Sequence, residues 1–284
     1  MHRRRIWPFI RRIWITLGVS ATAGFVGWSV VAYRATSEAR SAARSDALVT
    51  VSKTGAVWRF VPNGRPAVGP TFVFYPGALV DPRAYAPLAR AVTEASYQVI
   101  MIELPRRGAF GGADSPELAA RTNSVLASER GIVVGGHSRG AVVASRLASR
   151  ALPAVRGLVL IGTSHPRDQD LSSLTIPITK IVGTRDGLAT PDEVHENASL
   201  LPRHTRWLWI EGGNHSQFGW YGFQPLDRRP GVDASVQRSV MIQGVLDILR
   251  SAGNAPMATP SSPIALADDP GRIPGRNIDS LRSQ

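Results

Sequence analysis

Between residues 47 and 251 short apolar runs alternate with stretches of helical spacing, and this alternation limits the folds open to the chain. Residues 48–51 and 57–61 flank Lys53-Thr54-Gly55 and read as a hairpin. Residues 71–75, 98–102, 131–134, 157–161, 178–182 and 207–210 read as strands. Residues 83–95, 116–128, 140–149, 191–200 and 234–249 read as helices, with Asp81-Pro82 and Ser115 as start signals. Runs such as Ile132-Val133-Val134 are apolar at every position, which suits strands buried on both faces. The expected fold is α/β, a mostly parallel central sheet with helices on both faces.

The 284 residues and their 43% hydrophobic content suffice for one medium domain with appendages. There is no cysteine, which excludes disulfides, thiolate zinc sites, iron–sulfur clusters and a cysteine nucleophile. The net charge is +12, but residues 1–45 hold eight Arg and one Glu, so most of it belongs to that segment. A uniform basic face for nucleic acid is therefore not expected.

Residues 13–33 run 21 residues without a charge. As a helix they extend about 31 Å, the thickness of a bilayer core. Trp7, Trp14, Trp28 and Tyr33 lie near the ends, where aromatic rings favour the interface. A cleaved signal peptide is the alternative, but its apolar region is usually only about 7–15 residues. Five Arg precede the span and three follow it, which keeps the N-terminus cytoplasmic and the bulk of the chain outside. The expected organisation is a basic segment 1–12, a transmembrane helix 13–33, a linker 34–46, a globular domain 47–251 and a disordered tail 252–284 rich in Pro, Gly, Ser and Asp.

The sharpest local signal is Gly136-His137-Ser138-Arg139-Gly140, a G-x-S-x-G between an apolar strand and a helix. That context is the one a nucleophile elbow requires. Its glycines let strand and helix approach closely, and the helix N-terminus favours negative charge nearby. A serine nucleophile needs a base oriented by a carboxylate. Downstream lie His165, His195, His204 and His215. His195 falls inside a predicted helix, His204 precedes a strand, and His165 comes before the expected acid. His215, in Gly212-Gly213-Asn214-His215, follows the last strand and is the expected base. Asp186 leaves the preceding strand ahead of Gly187 and is the expected acid, whereas Asp192 and Glu193 look like first-turn helix acids. The oxyanion hole needs two N–H donors. Arg139 is one. The loop Tyr75-Pro76-Gly77-Ala78-Leu79 supplies the other from Gly77 or Ala78, and Ala78 is favoured.

Four motifs in order, YPGALVDPRAYAPLA, GGHSRGA, GTRDGLATP and EGGNHSQFGWYG, resemble the α/β-hydrolase superfamily, in particular its small bacterial branch, alpha/beta hydrolase family 5. The resemblance covers residues 47–251 and implies a Ser-Asp-His triad carried onto Ser138, Asp186 and His215, with no settled substrate. Arg139 departs from the Leu usual in that branch. Its cation either favours anionic substrates or points to solvent.

The mechanism this implies is two-step acyl transfer to water, without metal or organic cofactor. Lids in the superfamily often occupy the insertion at residues 162–177, which is short here, so a site without a large lid is expected. Tyr85, Phe110, Gln217, Phe218, Trp220 and Tyr221 are the expected walls for an apolar group of a small acyl substrate. The resulting expectation is a membrane-anchored serine hydrolase of an ester, thioester or lactone. A catalytically silent binding or scaffold module of the cell envelope and an acyltransferase are the competing readings.

Overall fold

The computed structural model describes residues 3–254. Its eight strands are β1 (Val49–Thr54), β2 (Val57–Pro62), β3 (Thr71–Tyr75), β4 (Val99–Ile102), β5 (Ile132–His137), β6 (Val155–Ile161), β7 (Ile178–Gly183) and β8 (Arg206–Ile210). They form one sheet in the order β1-β2-β4-β3-β5-β6-β7-β8. The hairpin β1–β2 pairs antiparallel onto β4, and from β4 to β8 all neighbours are parallel. The six parallel strands therefore end at one edge of the sheet. The loops after β3, β5, β7 and β8, which carry the motifs, are gathered there although far apart in sequence.

The helices are α1 (Arg3–Ala32), α2 (Ser37–Ala42), α3 (Ala86–Glu94), α4 (Pro116–Ser128), α5 (Arg139–Ala148), α6 (Pro191–Glu196) and α7 (Ala234–Asn254). Strand alternation distributes the core between two faces. Phe72, Phe74, Val133 and Val159 point into one cluster with Leu88 and Val92 of α3 and Val245 and Ile248 of α7. Val73, Tyr75, Ile132, Val134 and Leu158 point into the other with Leu118 of α4 and Ala141 and Ala144 of α5. Each large apolar side chain so buried contributes roughly 1.5–3 kcal/mol, which is why the central strands are apolar at every position.

Some boundaries differ from the sequence reading. The helix expected over 83–95 opens as a 3₁₀ turn, Pro82–Tyr85, before α3 begins. Tyr85 at the junction has φ −108° and ψ 3°, outside the helical basin. The helix expected over 191–200 ends at Glu196 and passes into a 3₁₀ turn, Ala198–Leu200. Residues 162–177 carry neither helix nor strand.

Helix α1 begins well before the expected span of 13–33. Its stretch Trp7–Ala32 has mean hydropathy 1.6 and is almost wholly exposed, long and apolar enough to cross a membrane or to act as a signal sequence. The segment 34–46 is not a free linker. Ala35 and Ala39 are buried, Thr36 N donates to the Trp220 carbonyl at 2.9 Å, and Trp220 Nε1 donates to Glu38 at 2.9 Å. Tyr33 stacks on Tyr221 with centroids 6.4 Å apart. Small residues on one side of α2 allow this docking, which a count of polar residues does not reveal. The expected tail lies outside the described residues from residue 255 on.

Candidate active site

Ser138 occupies the turn between β5 and α5 with φ 53° and ψ −119°, a sparsely populated region for a residue with a side chain. Such strain costs on the order of 1–3 kcal/mol and persists where surrounding structure enforces it. Here the enforcement is steric. A Cβ on Gly136 would lie 2.3 Å from the Gly140 carbonyl carbon, and one on Gly140 would lie 2.0 Å from the Tyr75 carbonyl oxygen. Only glycine at both positions lets β5, α5 and the end of β3 come this close. Ser138 N donates to the Ile161 carbonyl at 2.9 Å, fixing the turn to β6.

Asp186 leaves β7 and is fully buried. Its Oδ1 accepts from Leu188 N at 2.8 Å and from Ala189 N at 2.7 Å. His215 leaves β8, and its Nδ1 lies 2.9 and 3.1 Å from the two Asp186 oxygens. The carboxylate accepts a hydrogen bond from Nδ1–H, which leaves Nε2 as the nitrogen directed away from it. That Nε2 is buried without a partner among the described residues. Ser138 and His215 line one cavity of about 230 Å³.

Asp227, which the sequence reading did not single out, holds both loops. Its Oδ1 accepts from Gly187 N at 3.1 Å and His215 N at 3.2 Å, and its Oδ2 from Ser216 N at 2.8 Å. No motif marks it, because its partners come from two loops that are far apart in sequence. The expected helix acid Glu193 forms a capping box with Thr190 at the start of α6.

On the other side of Ser138, the hydroxyl of Tyr85 accepts from Gly77 N at 3.1 Å. Leu79 N donates to the Arg107 carbonyl at 2.8 Å. Between them Ala78 N, like Arg139 N in the first turn of α5, has no partner among the described residues. The Arg139 guanidinium pairs with Asp114 at 2.8 Å at the cavity edge, and the same carboxylate also pairs with Arg146.

The expected wall residues are placed differently. Tyr85, Phe218, Trp220 and Tyr221 are core residues, and Phe110 is 94% exposed. Gln217 is half-buried and donates to the Val232 carbonyl at 3.3 Å. None of the six lines the cavity. The aromatic rings instead anchor the loops, Phe218 packing on His137 and Trp220 under the Arg238 guanidinium. The actual walls include Val142, Thr163, Ser164, His165, Arg167, Leu188 and Ala189. Arg167 pairs with Glu193 at 2.8 Å. Burial pushes the His165 imidazole down to about 4, so this ring is uncharged at neutral pH. The side chain of His165 has no carboxylate partner like that of His215. Behind it the buried Lys180 ammonium donates to the His165 carbonyl.

A larger cleft of about 1180 Å³, near Trp207 and Trp209, contains His195 and His204 but no carboxylate to orient either. Among the described residues no group of three His, Asp or Glu is placed to hold a metal ion.

Residues 71–239, more than half of the chain, match the sequence profile of the alpha/beta hydrolase family. The chain belongs to that family. No curated protein matches this alpha/beta hydrolase family member. Its fold is similar to that of the Thermus thermophilus protein TT1662, with TM-score 0.52 and 14% identity over 73% of this chain and 99% of that one. It is also similar to a bacterial membrane phospholipase A described as a virulence factor, with TM-score 0.55 and 16% identity over 87% of this chain and 99% of that one.

Proposed function

We propose that this member of the family is a membrane-anchored serine hydrolase that cleaves an ester, thioester or lactone through an acyl-enzyme. One observation carries the reading. The His215 imidazole is bonded through Nδ1 to a buried carboxylate while its Nε2 is unpartnered, in the cavity that also contains Ser138.

In the first step Ser138 Oγ attacks the substrate carbonyl carbon and its proton passes to His215 Nε2. Asp186 stabilises the resulting imidazolium. The free N–H groups of Ala78 and Arg139 bind the oxyanion, in a site where Tyr85 and Arg107 occupy the neighbouring amides. Collapse of the intermediate breaks the carbonyl–leaving-group bond, and His215 returns the proton to the departing alcohol or thiol. Water then attacks the acyl carbon, giving its proton to His215, and the imidazolium returns that proton to Ser138 Oγ as the acid is released. The cavity of about 230 Å³ suits a compact acyl group.

Five Arg before the charge-free run 13–33 and the aromatic residues near its ends support an anchor with a cytoplasmic N-terminus and the domain on the opposite side. The test is labelling of the full chain in detergent by a fluorophosphonate probe. The wild-type protein labels and Ser138→Ala does not. A folded wild-type protein that stays unlabelled overturns the reading in favour of a silent module. Product analysis with an added alcohol acceptor separates hydrolysis from acyl transfer.

A further inference from the structure

The end of α1 is bonded into the edge of the sheet where Ser138 and His215 lie. Gly222 N donates to the Ala32 carbonyl at 2.8 Å, and Asp81 N to the Tyr33 carbonyl at 2.9 Å. These partners belong to the loops after β8 and β3, both at the C-terminal edge of the parallel strands. Trp28, 45% exposed on α1, is four residues before Ala32, about 6 Å along a helix. A bilayer crossed by α1 thus begins close to this edge.

The loops at the same edge display large apolar side chains to solvent. Leu79 follows β3, Phe110 follows β4, and Phe223 and Leu226 follow β8. In the sheet order these loops flank β5, so the apolar residues lie on both sides of the elbow. Three of the four have left-handed backbone, with φ 66° at Leu79, 47° at Phe110 and 69° at Leu226. A bulky residue at such φ costs about 1–3 kcal/mol. Solvent exposure of its apolar side chain returns nothing, so an aqueous surface gives no account of this combination. Arg106, Arg107, Arg228 and Arg229 flank Phe110 and Leu226, all exposed and none in an ion pair among the described residues. Apolar tips bordered by unpaired guanidinium groups match a lipid interface with anionic headgroups.

The geometry points to a second membrane contact: this rim rests on the anionic bilayer that α1 crosses, and the catalytic cavity opens toward the lipid surface. The substrate class is then a lipid-soluble ester with a compact acyl group, which reaches Ser138 from the bilayer. The inference rests on the anchored-hydrolase reading, and its test separates the two.

Because the chain has no cysteine, single cysteines can be labelled without background. Full-length Phe110→Cys, Leu226→Cys, Val19→Cys and Arg203→Cys proteins are labelled with an environment-sensitive fluorophore. They are reconstituted in phosphatidylcholine–phosphatidylglycerol vesicles containing spin-labelled phosphatidylcholine. Arg203 precedes β8, at the opposite edge of the sheet, and serves as the aqueous reference. Positions 110 and 226 are expected to be quenched by lipid at least about twofold more than 203, consistent with burial of about 5–10 Å into the interface. Omitting phosphatidylglycerol reduces that quenching. Equal quenching at 110, 226 and 203, with 19 strongly quenched, overturns the rim contact and leaves the anchor intact. Energy transfer between rim labels of two copies, without lipid quenching, assigns the rim to self-association and overturns it as well. An unquenched position 19 shows that the anchor reading itself has failed. Fluorophosphonate labelling of each variant reports that it is folded.

Discussion

The Tyr85 hydroxyl lies 2.8 Å from Nδ1 of His137, inside the core behind the candidate nucleophile. The same oxygen accepts from Gly77 N, so its own proton is left for the histidine nitrogen. Burial holds the His137 imidazole well below its usual range, and the adjacent His215 acts in the same direction. The ring is therefore neutral and able to accept. It packs against His215, tilted by 45° with centroids 4.5 Å apart. One phenol thus connects the loop of the proposed oxyanion donor to the ring that supports the proposed base.

Tyr85→Phe removes this connection and leaves Gly77 N and His137 Nδ1 buried without a partner. A loss of about 1–3 kcal/mol in unfolding free energy is expected. Because the loop bearing Ala78 loosens, kcat is expected to fall about tenfold with KM little changed. Stopped-time ester assays with thermal unfolding check both, and an unchanged kcat refutes the coupling.

Asp186→Asn keeps the shape of the acid but not its charge. The amide stabilises the wrong His215 tautomer, and kcat is expected to fall by about 10⁴. A variant that retains wild-type activity on the same ester excludes Asp186 as the orienting acid.

Asp227 accepts from the backbone at His215 and Ser216 and does not line the cavity that contains Ser138. Asp227→Ala removes its hydrogen bonds to the loops at Gly187, His215 and Ser216. A fall in kcat of roughly tenfold or more is expected, since small misplacements of a base are costly. Asp227→Asn retains one acceptor oxygen and should recover part of it. Equal losses in the two variants would point to the carboxylate's charge instead of its acceptors.

Lys180 is buried, and that burial, with the Arg167 charge, pulls its ammonium down to about 7 from 10.5. Between about pH 7 and 10 the unfolded chain binds more protons than the folded one at this residue, so the Lys180 contribution to stability rises with pH across that window. Below about pH 7 the group is charged in both states and its contribution is constant. Lys180→Met is expected to flatten the rise between pH 7 and 9 by on the order of 2 kcal/mol. Unfolding in detergent at the two pH values measures it, and parallel profiles for the two proteins contradict the assignment.

Residues 33–42 close one side of the His215 loop. A chain starting at Tyr33 is expected to fold and label with fluorophosphonate, whereas one starting at Ala47 loses the buried Ala35 and Ala39 and the Glu38 acceptor of Trp220. Its unfolding temperature is expected to fall by several degrees, as for a loss of 1–3 kcal/mol. Equal stability of the two chains refutes a structural role for this segment.

The sequence by itself determined the layered α/β architecture and the strand–turn–helix around Ser138. Both follow from short-range physics: apolar runs that only a doubly covered sheet can bury, and glycines at two positions where a Cβ would strike backbone. Ser138, Asp186 and His215 each follow a parallel strand, and the common direction of those strands brings their loops to one edge of the sheet. The tertiary structure alone decided what the aromatic residues near the site do. Tyr85, Phe218, Trp220 and Tyr221 carry the composition of a binding wall, but their rings turn inward to hold loops. It also revealed Asp227, the true cavity walls and the docking of residues 33–42 beside His215. These features depend on side chains from distant segments meeting at one place, and neither periodicity nor residue type encodes which segment a side chain will face.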